Sequence, residues 1–229
     1  MLVVSIFAHA DAKDVCIWRD SIMQYVFIHG IGQCSSSWDK TISFMTKPVN
    51  AKCPDFSKLL KDEEFTYANL YRAFSNYCNN IPKPLNLCGL SLGGILALNY
   101  AIDNPARVHS LVLIGAQYKV PRMLLIIQNI ILQFMPKSNF QKIGFNKKNS
   151  IRFVKSLTGL NFSDKLSVIS CPTLILCGEN DFANKKAVKN LADKMPGASF
   201  QLIENAAHEV NVDNPQVLAL TLESFYSAV

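Results

Sequence analysis

The residues Gly89-Leu90-Ser91-Leu92-Gly93, extended by Gly94, carry the strongest chemical signal in this chain. They follow the apolar residues 85–88 and precede the helix-like stretch 95–101. A serine in this setting sits on a strand-to-helix turn too tight for side chains two residues to either side, and its hydroxyl stands exposed at the sheet edge. The first free N–H groups of the helix then point at any charge developing beside it. A serine hydroxyl is a weak nucleophile at neutral pH, so an imidazole must take its proton and return it to the leaving group. A carboxylate must orient that imidazole, and two backbone N–H groups must hold the oxyanion. Taken alone, Gly-x-Ser-x-Gly is a weak signal, so the rest of the chain has to supply these parts.

The elements that would position them are short and regular. Apolar runs at 25–28, 85–88, 111–114, 173–177 and 200–203 are β-branched or leucine-rich and apolar on both faces, as strands covered on both sides should be. Helix patterns lie between them at 66–79, 93–103, 185–194 and 215–227, the last opening on Asn214 as a cap with Pro215 in the first turn. This alternation predicts an α/β fold with a mostly parallel, doubly covered central sheet in one domain, 1–229. Such sheets place their sites beyond the C-terminal ends of the strands. There the chain offers His29-Gly30-Ile31-Gly32, then Ser91, then Gly178-Glu179-Asn180-Asp181, then Asn205-Ala206-Ala207-His208. A hydroxyl, a carboxylate and an imidazole all emerge on one rim.

With Ser, Asp and His in that order, the chain resembles the α/β-hydrolase fold family over nearly its whole length. The resemblance implies Ser91 as nucleophile, Asp181 as orienting acid and His208 as general base. It also implies an oxyanion hole from the backbone N–H groups of Leu92 and Ile31, with Gly30 approaching the substrate closely. Glu179 competes for the acid role, and His9, His29 and His109 compete for the base. His109 stands at a strand entrance on the wrong rim, and His29 is better suited to bracing the oxyanion loop. Where many members carry Asp-x-Pro-Gly-x-Gly-x-Ser, residues 53–60 read Cys-Pro-Asp-Phe-Ser-Lys-Leu-Leu, so specificity does not transfer from a known subfamily. A serine nucleophile argues against haloalkane dehalogenases and epoxide hydrolases, whose counterpart is an aspartate. The expected activity is hydrolysis of small carboxylic esters, or of thioesters or lactones, with no cofactor and no metal. A lyase or C–C bond hydrolase using the same three residues is the enzymatic alternative, and a non-catalytic ligand-binding member the other.

Residues 118–162 break the alternation and read as a small helical lid inserted after a strand. The apolar stretch 123–135 is bounded by Pro121 and Pro136 and is too short to cross a bilayer, so stable membrane insertion is not expected. Met123 and Ile127 are expected to line the substrate pocket, while another side of the same stretch would suit a homodimer contact. The net charge of +6 is concentrated here: between Asp103 and Asp164 there are nine basic residues and no acidic one. Without interleaved aromatics or a recognition motif, this charge does not indicate nucleic acid; a solvated face, an anionic substrate, an acidic acyl-carrier partner or an anionic lipid surface would each account for it. The seven scattered cysteines include no Cys-x-x-Cys pair and resemble reduced core thiols, with Cys34 a wall residue near the site. Residues 1–8 are apolar but lack a basic residue before them, so they read as a first strand and not a signal peptide. A cytoplasmic enzyme acting on a small ester or acyl substrate is the overall expectation.

Overall fold

The computed structural model describes residues 23–47, 49–61, 63–82, 84–120, 147–195 and 197–229. Strands β1 (Gln24–Ile28), β2 (Ala51–Lys52), β3 (Leu85–Leu90), β4 (Val108–Ile114), β5 (Thr173–Gly178) and β6 (Ser199–Ile203) form one sheet in the order β2-β1-β3-β4-β5-β6. Every neighbouring pair is parallel. The helices are α1 (Asp39–Ser43), α2 (Phe56–Leu60), α3 (Tyr67–Asn79), α4 (Leu92–Asp103), α5 (Lys147–Ser156), α6 (Lys185–Asp193), α7 (Val210–Asp213) and α8 (Pro215–Ala228).

Period-two alternation assigns each strand residue to a layer. Val26, Ile28, Leu85, Leu87, Leu111, Leu113, Ile175 and Cys177 enter one core with residues of α3, α4 and α6. Tyr25, Phe27, Cys88, Leu90, Val112, Ile114, Leu174 and Leu176 enter the other, with Trp38 and residues of α8. The expected mostly parallel, doubly covered sheet is therefore what forms. β6 departs from it. Its run is apolar in sequence, yet residues 199–202 are exposed, Phe200 at 37% and Leu202 at 39%, and only Ile203 is buried. It is the outermost strand, with no further neighbour among the described residues.

The helix signals act as caps. Thr66 accepts from the Asn69 N–H ahead of α3, and Asn214 accepts from the Val217 N–H ahead of α8. The atypical stretch 53–60 builds α2, capped by Asp55, which accepts from the Ser57 N–H and hydroxyl. Strand order then creates the site: β1 has β2 on one side and β3 on the other, so the loops leaving β1 and β3 flank the crevice where the winding reverses.

The chain leaves the sheet after β4 and is fastened at that point. Lys119 and Asn161 form an antiparallel bridge; the Val120 N–H donates to the Leu160 carbonyl (3.0 Å) and the Phe162 N–H to that of Tyr118 (2.8 Å). Beyond it, Phe153 is fully buried and stacks on Phe65 at 4.1 Å, while the Tyr67 N–H donates to Ser156 Oγ. Met123, Ile127 and the apolar stretch 123–135 with its dimer contact lie outside the described residues, as do the N-terminal strand 1–8, His9 and Cys16. Among the described residues no helix is long and apolar enough to cross a membrane.

Candidate active site

Ser91 sits between β3 and α4 with φ +53° and ψ −114°, a conformation that costs a residue with a side chain on the order of 1–3 kcal/mol. The surroundings hold it there. Its N–H donates to the Ile114 carbonyl (2.8 Å), and its own carbonyl accepts from the Ile95 N–H (3.0 Å). The flanking glycines are required by contact: a Cβ at Gly89 would lie 2.3 Å from the Gly93 oxygen, one at Gly93 2.2 Å from the Ile28 oxygen, and one at Gly94 2.6 Å from Ala116 Cβ.

Beside the serine runs the loop after β1. A Cβ built on Gly30 would stand 3.6 Å from Ser91 Cβ, in ordinary contact, so nothing in the protein demands a glycine there; the missing side chain leaves room next to Ser91. Among the described residues no hydrogen bond uses the Ile31 or Leu92 N–H. His29 braces this loop. Its Nε2 accepts from the Phe56 N–H (3.3 Å), its Nδ1 lies 2.8 Å from the Gly30 carbonyl, and its ring packs on Phe56. A neutral ring with its proton on Nδ1 satisfies both partners. Burial lowers the pKa of this imidazole, against the Gly30 carbonyl and Asp55, which raise it.

The loops after β5 and β6 bring a carboxylate and an imidazole together. Asp181 is buried and its Oδ2 lies 2.7 Å from His208 Nδ1, whereas the His208 side chain is 38% exposed. Asp181 Oδ1 accepts from both the Asn184 N–H (3.3 Å) and Asn184 Nδ2 (2.8 Å). Asn184 Nδ2 also lies 3.1 Å from His208 Nδ1, but an amide nitrogen cannot accept, so a proton on Nδ1 is donated to Asp181 Oδ2 at 2.7 Å. Glu179 turns away and accepts from the Asn205 N–H. His109 is the second residue of β4, at the far end of that strand from the site. The His208 loop crosses the end of β5 so closely that a Cβ on Gly178 would lie 1.9 Å from the Ala207 oxygen.

Ser91, Leu92, Ile31 and His208 line one cavity of about 320 Å³, with Asp181 behind the imidazole. Ile95, Val120, Phe153, Val154 and Leu157 supply an apolar side, Gln117 and Asn184 a polar one. Cys34 is exposed and does not line it. Among the described residues no group of three or more His, Cys, Asp or Glu is placed to hold a metal ion. Of the nine central basic residues, Arg107 caps the end of α3 by donating to the Cys78, Asn79 and Ile81 carbonyls, and Arg152 pairs with Glu64.

Several residues here escape sequence reasoning. Asn184 and Gln117, linked through Gln117 Nε2 and Asn184 Oδ1 at 2.8 Å, extend the row behind Asp181. Gly115, at φ +58°, packs against the imidazole: a Cβ there would lie 3.0 Å from His208 Cε1. Gln33 and the fully buried Asn211 exchange amide hydrogen bonds at 3.1 and 3.2 Å. Gln33 Oε1 also accepts from the Gly30 N–H, so this pair ties the loop beside Ser91 to the helix that follows His208. Gly115 and Gln117 lie one and three residues beyond β4 and are found by inspecting that strand end as well; the amide pair carries no local signal.

The alpha/beta hydrolase family model matches residues 25–220. The chain is similar to monoacylglycerol lipase abhd6-B of Xenopus laevis, 20% identical over 259 residues, covering 89% of this chain and 75% of that protein. A hydrolase from Pseudomonas aeruginosa PA01 superimposes with a TM-score of 0.76 at 17% identity, covering 90% of each chain. A thermophilic esterase from Thermogutta terrifontis does so at 0.74 and 16%, again covering 90% of each chain.

Proposed function

Because the chain belongs to the alpha/beta hydrolase family, we propose that it is a serine esterase that cleaves small carboxylic esters with an apolar portion. Ser91 Oγ attacks the carbonyl carbon as His208 Nε2 takes its proton. Asp181 Oδ2 accepts a hydrogen bond from His208 Nδ1–H and stabilises the transient imidazolium. The oxyanion is held by the N–H groups of Leu92 and Ile31, each such donor contributing about 3–4 kcal/mol at the transition state. His208 then protonates the departing alkoxide, leaving an acyl group on Ser91. Water then attacks the acyl carbon as it gives a proton to His208, and the acyl–Ser91 bond breaks as His208 returns that proton to Ser91 Oγ, releasing the acid. Thioesters and lactones suit the same machinery.

The observation that carries this reading is the 2.7 Å Asp181–His208 pair on the wall of the cavity that Ser91 also lines. The apolar side formed by Ile95, Val120, Phe153 and Leu157 supports an acyl or alkyl chain as the group received. The names of similar proteins, a monoacylglycerol lipase and an esterase, point the same way. Residues 118–162 are proposed as the roof of this cavity, supported by Phe153, Val154 and Leu157 in its wall. The proposed setting is cytoplasmic: the six described cysteines are free, and burial pushes the Cys78 thiol up to about 12 and that of Cys177 up to about 11.

A fluorophosphonate should label Ser91, and p-nitrophenyl esters should turn over with a burst that Ser91→Ala abolishes. Labelling without ester turnover would favour the lyase alternative. Turnover that survives Ser91→Ala would overturn the proposal.

A further inference from the structure

Gln117 is a polar wall residue whose hydrogen-bonding capacity is only partly spent among the described residues. It lies three residues beyond β4, half-buried, and lines both the main cavity and a second recess of about 150 Å³. That recess is completed by Tyr118, Lys119, Ala187 and Asn190. Gln117 Nε2 donates to Asn184 Oδ1, and Asn184 spends its own N–H and Nδ2 on Asp181. The carboxamide of Gln117 is thus held by a neighbour that is itself pinned to the carboxylate. Its second amide hydrogen and its Oε1 lone pairs have no partner among the described residues. Across the cavity the wall is aliphatic and aromatic, from Ile31 through Ile95 and Val120 to Phe153 and Leu157. An amide fixed at one end, with one donor and its acceptor unpartnered among the described residues and a largely apolar wall around it, matches a group that can both accept and donate.

We infer that Gln117 is a specificity-determining residue that binds a hydroxyl group carried by the substrate away from its ester bond. The inference rests on the esterase reading and narrows it to hydroxylated esters. The hydroxyl donates to Gln117 Oε1 or accepts from the free Nε2 hydrogen, and the smaller recess gives room for the carbon that bears it. A methyl group in its place strips water from the amide and returns nothing, and sites built to bond a hydroxyl reject analogues that lack it. Asn184 is the positioning residue in this arrangement, since it fixes the amide that makes the contact.

The test compares kcat/KM within two isosteric pairs. One pair places the hydroxyl on the alcohol side (2-hydroxyethyl octanoate against propyl octanoate), the other on the acyl side (methyl 8-hydroxyoctanoate against methyl nonanoate). The unaltered protein should favour the hydroxylated member of one pair about fivefold, the worth of a single net hydrogen bond. Gln117→Leu and, independently, Gln117→Met should bring that ratio close to one, with melting curves and fluorophosphonate labelling of Ser91 reporting that fold and nucleophile persist. Equal kcat/KM within both pairs overturns the inference before any variant is made, and so does a preference that survives both substitutions. Turnover of none of these esters is a different failure: it removes the esterase reading, and the hydroxyl contact with it.

Discussion

Replacing Gly115 with alanine measures how closely the position of the His208 imidazole is held. Gly115 has φ +58°, and a Cβ there would lie 3.0 Å from His208 Cε1, 3.2 Å from Nδ1 and 3.7 Å from Asp181 Oδ2. Carbon atoms rest about 3.5–4.0 Å apart, so the ring must retreat by roughly half an ångström. The left-handed backbone adds a cost of about 1–2 kcal/mol for any residue bearing a Cβ. Gly197→Ala isolates that backbone cost: its φ is +94°, a Cβ meets nothing within 4 Å, and it precedes β6 on the rim opposite the site. Gly197→Ala should lose about 2–8 °C in Tm for a chain of this size, and Gly115→Ala at least as much. Only Gly115→Ala should lose turnover. A displacement approaching an ångström costs up to about 100-fold, so a kcat reduced by about 10- to 100-fold is expected, equivalent to about 1.4–2.7 kcal/mol in the barrier. The assay is kcat and KM on p-nitrophenyl butyrate beside thermal melts in the same buffer. A Gly115→Ala protein within twofold of the original, or a Gly197→Ala protein equally impaired, would refute the reasoning.

Gly93→Ala, which drives a Cβ to 2.2 Å from the Ile28 oxygen, should prevent accumulation of folded protein; Gly30→Ala, with contacts no closer than 3.6 Å, should melt normally yet lose kcat/KM most on bulky esters. Asn211→Leu strands the Gln33 amide and the Ser37 carbonyl, so urea unfolding should show a loss of about 1–3 kcal/mol. Its kcat should fall further than its KM rises, because the Gly30 loop loosens; an unchanged kcat in folded protein would argue against that coupling. Buried His29 binds a proton less readily in the folded chain than in the unfolded one. The stability it contributes is therefore complete above the unfolded pKa of 6.5 and is lost as pH falls from there through the lower folded value. His29→Gln should flatten that part of the stability profile in denaturant titrations, and an identical slope in both proteins would count against it.

How much the sequence discloses depends on how locally each feature is specified. β1, β3, β4 and β5 are legible because burial on both faces makes each a continuous apolar run. β6 misleads because Phe200 and Leu202 look the same in sequence whether or not a layer covers them, and β2, two residues long, has no period to detect. Ser91, Asp181 and His208 can be nominated because each lies within five residues of the C-terminal end of a strand and belongs to a type that moves protons or attacks carbonyls. Asn184, Gln33 and Asn211 cannot. A carboxamide is ordinary at a surface, and these acquire meaning through their partners: Asp181, three residues away, and Gln117, 67 away, for Asn184, and each other across 178 residues for Gln33 and Asn211. Glu179 and Asp181 are equivalent by type and nearly so by position; only the turn that buries one and exposes the other separates them.

The clasp at Tyr118 and Phe162 has an evolutionary consequence. It brings the two ends of the proposed roof to adjacent points on the body, so the intervening length behaves as an exchangeable cassette. Each doubling of a connection closed in this way adds only about 0.6 kcal/mol of closure entropy, so a change in its length carries little thermodynamic penalty. The strand ends bearing the serine, carboxylate and imidazole are untouched by such edits. On the proposed function, the choice of what enters and the chemistry done to it are thereby written on separate stretches of polypeptide, and the first can be altered without touching the second.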